Sequence, residues 1–174
     1  MQVGVLEKVS LRGRVAFAIR CFENALLELH YNVNEWKRVL EELWKFTDIN
    51  YLDDWSGMVA EIIPDNLLEF RIYEEHNFDY LDEKIFIYLY NLYQKNDESI
   101  DILMTSIYNI GTSHAYSVIV GCGKESLYEV ELLIEYMTSK GISMPNVKDF
   151  EQFSIKENEG WGNKFEGKVI SCIL

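Results

Sequence analysis

At 174 residues, with 48% hydrophobic and 14% aromatic residues and only two prolines, the chain can bury one core unaided and is too apolar to be a disordered tail. Its three cysteines, Cys21, Cys122 and Cys172, are far apart and odd in number, which excludes a secreted disulfide framework and a zinc knuckle and fits a reducing cytoplasm. The net charge of −13 is uneven, with six basic and four acidic residues in 1–40, four and sixteen in 41–101, and six and nine in 102–174; such a field repels nucleic acid and anionic lipid and attracts basic partners.

The N-terminal stretch MQVGVLEKVSLRGR has only Val3 to Leu6 as an apolar run before Glu7, so no signal peptide is expected. No later stretch approaches the roughly 18 uncharged residues of a membrane span, and a cytoplasmic protein without membrane contact is expected. From Ser10, LRGRVAFAIRCFENALLELH places Val15, Ile19, Phe22, Leu26 and Leu29 on one helical stripe. Asn34 is placed to cap a second helix carrying Trp36, Val39, Leu40, Leu43 and Trp44, which TDIN ends. A third helix begins around Asp53 and Asp54 and stops before Pro64, with Trp55, Val59 and Ile62 inward.

The segment from Asp65 to Asp79 is charged and weakly periodic and reads as a connection with one or two helical turns. Leu81, Ile85, Leu89 and Leu92 form the next stripe; IFIYLYNLY is rich in β-formers, but its length favours helix. Asn96 is placed to cap a helix with Ile100, Leu103, Met104 and Ile107, which Gly111 interrupts or ends. Ser126 and Glu129 then read as a capping box before Leu127, Val130, Ile134 and Met137, with Gly141 as the C-terminal cap. The remainder, residues 141–174, holds Gly160, Gly162 and Gly167 and no stripe, and reads as an irregular tail or short hairpin. The expectation is one all-α domain over 1–174: an irregular antiparallel bundle or short α-solenoid of about six to eight helices, with a body over 1–140.

Two stretches invite a chemical reading and fail it. GCGKES would be a phosphate loop only with a glycine at Val118 and a hydroxyl residue at Glu125. GTSHA ends in alanine where a nucleophile elbow has glycine, and of His30, His76 and His114 none follows Ser113 at the distal place a hydrolase needs. Ser113 and His114 are therefore read as satisfying helix-end backbone groups. No ExxH or HExxH pattern occurs, and neither a metal nor a cofactor is expected. Trp36, Trp44 and Trp55 lie on stripes and read as core, whereas Trp161, in EGWGNKF, reads either as a lid on the core or as a binding anchor.

The succession LRGRVAFAIRCFENAL, EWKRVLEELWKF, an acidic linker and IIPDNLLEF resembles the small helical bacterial proteins of the YjaG-like kind. The whole layout, with its GWGNKF tail, also resembles helical immunity proteins of bacterial polymorphic toxin systems. That resemblance implies a cytoplasmic protein that binds and neutralises a cognate protein toxin, and it brings no catalytic set. The charge map suits this, since an acidic surface can cover the basic cleft of a nuclease toxin. The expected contact residues are Asp48, Asp53, Asp54, Glu74, Glu75, Asp79, Asp82 and Glu83, with Trp161 as an anchor. Two rivals are an enzyme with a carboxylate or serine site and a helical scaffold that oligomerises.

Overall fold

The structure, a computed structural model, describes residues 2–174, with side chains from Val3 onward; of the expected single domain, Met1 lies outside the described residues. Eight α-helices follow in order: α1 (Gln2–Leu6), α2 (Leu11–Glu28), α3 (Val33–Trp44), α4 (Leu52–Ile62), α5 (Pro64–Leu68), α6 (Glu83–Tyr93), α7 (Glu98–Thr112) and α8 (Lys124–Lys140). Among the described residues there is no strand, and Val9 and Ser154 form one isolated bridge. The fold is all-α, and IFIYLYNLY is helical within α6. No helix of the described residues is long and apolar enough to cross a membrane.

The stripe after Ser10 becomes the spine of the molecule. Every residue of α2 from Leu11 to Ile19 is buried, more than one stripe requires. Small residues let neighbours close in: a Cβ on Gly13 would stand 2.4 Å from Val9 Cγ1 and 2.7 Å from Phe153 Cβ. A solenoid confines contacts to units adjacent in sequence. Here α2 packs on α3 and also on α7 and α8 from the far half of the chain, so the architecture is an irregular bundle.

Several helix ends fall elsewhere than the spacing suggested. His30 takes a left-handed conformation (φ 60°) and Tyr31 N donates to Leu26 O at 2.9 Å, closing α2 at Glu28 and leaving Leu29 38% exposed rather than on the buried stripe. That turn delivers an extended Asn32, which caps α3 in place of Asn34. Asp97 caps α7 in place of Asn96, accepting from Ser99 N at 2.9 Å, and its charge suits the positive end of the helix. Gly111 neither interrupts nor ends α7; a Cβ there would meet the Trp55 ring at 2.7 Å, so the glycine makes room for an indole. Gly123, left-handed at φ 60°, caps α8, and Ser126 turns inward instead of forming a capping box. Gly141 closes α8 as expected, with Ile142 N donating to Met137 O at 3.0 Å.

The tail is irregular, held in short 3-10 turns at Val147–Phe150, Asn158–Gly160 and Gly167–Val169. It wraps the start of α2: Ser10 N donates to Phe153 O at 2.8 Å, Ile155 N to Lys8 O at 2.8 Å, and Arg12 N to Trp161 O at 3.0 Å. Phe150 meets Phe17 edge-on at 5.4 Å, and Phe153 stacks on Phe165 at 4.1 Å. The tail thus completes the core.

Candidate protein-binding surface

The acidic excess is carried by α4, α5, α6 and their connections. Asp48 precedes α4, and Asp53 and Asp54 sit in its first turn, where carboxylates favour the helix dipole. Glu74 and Glu75 lie in the 3-10 turn Tyr73–Glu75, and Asp79 in the connection to α6. Asp82 caps α6, accepting from Ile85 N at 2.8 Å, and Glu83 opens it. All eight carboxylates are exposed. The ion pairs of the described residues join Arg20 to Glu23, Lys45 to Glu42, His114 to Glu125, Lys140 to Glu98 and Lys168 to Glu41; none of the eight has a cation within 4.0 Å. Nor do they gather at a point: among the described residues no three His, Cys, Asp or Glu side chains are placed to share a metal. They form a dispersed surface.

The connection between α5 and α6 is ordered by residues that its weak periodicity concealed. Half-buried Glu61, in the last turn of α4, accepts from Asp79 N at 2.7 Å and from Tyr80 N and Leu81 N at 3.0 Å. A carboxylate at that end of a helix opposes the dipole, and its three backbone donors are the compensation. Aromatic rings fill the space beneath: Tyr73 stacks on Phe78 at 5.4 Å, Phe78 meets Phe86 at 5.3 Å, and His76 stacks on Phe70 at 4.6 Å. Between this turn and α6 lies a cleft of about 160 Å³, with Glu74 and Glu83 in its lining. The fold therefore brings these two predicted residues together.

Trp161 is half-buried. Its ring stacks on Phe46 at 6.5 Å and lies 6.0 Å from the Arg12 guanidinium. Arg12 is only 4% exposed and donates to Ile49 O at 3.1 Å; burial lowers its pKa, and nearby Asp48 opposes that shift. Asp48 and Trp161 thus both lie near one buried cation at the start of α2, without Asp48 forming an ion pair with it. Trp36, Trp44 and Trp55 are core residues, at most 3% exposed.

Ser113 behaves as expected, its Oγ donating to Ile110 O at 2.7 Å, but His114 does not serve the helix end. It is buried, with Nε2 3.1 Å from Ser126 Oγ and Nδ1 3.8 Å from Glu125. Ser126, His114 and Glu125 therefore stand in the order of a hydrolytic triad, a juxtaposition hidden in the sequence because Ser126 read as a cap. The serine is sealed: 1% exposed, it accepts from Arg14 Nη1 at 2.7 Å and donates to Gly123 O at 3.1 Å. The adjacent open cavity, lined by Asn109, Thr112, Ser113 and Glu125, reaches neither Ser126 nor His114.

Arg14 is fully buried and forms no ion pair among the described residues. It donates to Leu6 O, Cys122 O and Gly123 O, and burial pushes its pKa down to about 10. A phosphate loop turns N–H groups toward an anion, whereas the GCGKES loop turns carbonyls toward a cation. A second buried charge, Glu23, accepts from Trp44 Nε1 and Cys172 N, each at 2.9 Å, and from Ser171 Oγ, with Arg20 at 3.5 Å. These two groups went unnoticed in the sequence, and both serve packing. No family model, curated protein or solved structure matches the chain.

Proposed function

We propose that the chain is a cytoplasmic binding protein that neutralises a cognate protein toxin, covering a basic cleft on it with the acidic surface of α4, α5 and α6. The observation that carries this reading is that eight exposed carboxylates have no cation within 4.0 Å among the described residues. Like charges left unpaired repel one another and oppose compaction. A basic partner relieves that repulsion, and its approach is steered, with association rates of about 10⁸–10⁹ M⁻¹s⁻¹ at low salt. The resemblance of the helical layout to immunity proteins supports the same reading.

The test is co-expression with the product of the adjacent reading frame, followed by association kinetics on the complex. Reversing Asp54, Glu74, Asp79 and Glu83 to Lys is expected to slow association about tenfold or more and to flatten its salt dependence. Asp82 stays out of that set because its reversal would also uncap α6. No complex, or an unchanged rate and salt slope in the variant, would overturn the reading. Exposure of Tyr116 (99%), Val118 (75%) and Val120 (77%) favours oligomerisation as a second reading, which a measured solution mass decides.

A further inference from the structure

A helix at the surface of a globular protein normally keeps its exposed face polar, and α6 sets apolar residues into that face beside Glu83, Lys84 and Asn91. Phe86, Leu89 and Tyr93 face the core, while Ile87 remains 49% and Tyr88 41% exposed on the outside. Opposite Ile87, Ile72 is 56% exposed across the cleft of about 160 Å³. Tyr73, Phe86 and Tyr90 give that cleft its aromatic walls, and Glu74 and Glu83 give it two carboxylates. Arg71 also lines it, which leaves the lining with a net charge of −1 inside the most acidic third of the chain.

The lining specifies its occupant. Methylene groups suit the isoleucine and aromatic walls, and a positive end suits aromatic faces and free carboxylates. An anionic group is repelled by Glu74 and Glu83, and a wholly apolar side chain would desolvate those carboxylates without giving them a partner. Interfaces concentrate their energy in such pockets, where one anchor is enclosed by a polar rim. The geometry points to a lysine or arginine side chain of a basic partner protein as the group that this cleft takes. This rests on the reading of the chain as a binder of a basic protein, and it names the anchoring point.

The experiment titrates N-acetyl-arginine amide, N-acetyl-lysine amide and the uncharged N-acetyl-norleucine amide into the isotope-labelled full chain, following the methyl signals of Ile72 and Ile87 and the ring of Tyr90. The same titrations are run on Glu74→Gln/Glu83→Gln and on Glu135→Gln/Glu151→Gln, which removes equal charge from exposed positions outside the cleft. Saturable shifts of the cleft signals are expected from both cationic probes, and binding about fivefold or more weaker from norleucine and in the cleft variant. The control variant is expected to stay within about twofold of the native chain. Shifts spread evenly over the acidic surface, equal loss in the two variants, or norleucine binding as well as arginine would overturn the proposal. Cleft binding in a chain that captures no toxin-like product would uphold the anchor and remove the neutralisation reading. Neutralisation that survives in Glu74→Gln/Glu83→Gln without cleft shifts would do the reverse.

Discussion

The spine helix and the acidic helices beside it treat charge in opposite ways. On α2, Arg14 and Glu23 are withdrawn from water and each is met by several partners drawn from far along the chain. Around α4 to α6 the eight contact carboxylates remain in water, unlike Glu61, and among the described residues only Glu75 and Asp82 of the eight accept a hydrogen bond. An ion taken from water costs several kcal/mol unless it is fully paired, whereas an exposed one stays hydrated. The interior charges are therefore committed to the fold, and the exterior ones are free for a partner. Arg12 lies between these cases: it is buried, but Nε and Nη1 have no hydrogen-bond acceptor among the described residues.

The strongest way to break this comparison is at Glu23. Glu23→Ala would strand Trp44 Nε1, Cys172 N and the Arg20 charge, and should cost about 3–5 kcal/mol in urea unfolding. Faster amide exchange over residues 171–174 should accompany it. A loss below about 1 kcal/mol would mean that the buried set is not structural. Arg14→Met, which leaves the carbonyls of Leu6, Cys122 and Gly123 without their donor, should cost about 3 kcal/mol.

A smaller effect sharpens the comparison from the outer side. Asp82→Ala removes the cap of α6 and should lower stability by about 1 kcal/mol, while Asp82→Asn should retain most of it. Smaller still is a pH effect in the interior. Burial holds the pKa of His114 below its usual 6.5; Glu125 works against the shift and Arg14 adds to it. As pH falls, the unfolded chain takes up the proton before the folded chain does. Stability should therefore decline from about pH 7 downward and level off below the folded value. His114→Gln should remove that component, read as the difference between the two proteins' unfolding midpoints from about pH 7.5 to about pH 5.5.

How much of this was legible in the sequence follows from the range over which each feature is decided. Helical stripes are local, so α2, α3, α4 and α7 show in the spacing, and the core roles of Trp36, Trp44 and Trp55 with them. Caps depend on where the preceding turn delivers the chain, and left-handed His30 and Gly123 shifted them away from Asn34 and Ser126. Arg14 and Glu23 look like ordinary polar positions on a helix, because their partners stand 109 and 149 residues away. On the surface, exposure of the eight carboxylates was readable from composition. The cleft was not, since Tyr73 and Phe86 meet only in the folded chain. Two signals pointed to it: a glutamate at the end of α4 that opposes the dipole, and Ile87 and Tyr88 on the outer side of α6.

The finest test lies where the two regions should differ most. Glu74→Lys and Glu83→Lys change formal charge as drastically as any substitution on α2, yet neither side chain takes part in an ion pair or hydrogen bond among the described residues. Each should alter stability by no more than about 0.5 kcal/mol. For Glu74→Lys the sign at low ionic strength should be favourable, because the reversal takes the net charge from −13 to −11 and eases self-repulsion within the acidic third, whereas Glu83→Lys also loses a carboxylate from the first turn of α6, which offsets that gain. Added salt should shrink the gain, since the Debye length falls to about 8 Å near physiological ionic strength. A destabilisation comparable to that of Asp82→Ala, unaffected by salt, would show that these carboxylates are bound into the fold, and the division between committed and free charge would then fail at α6.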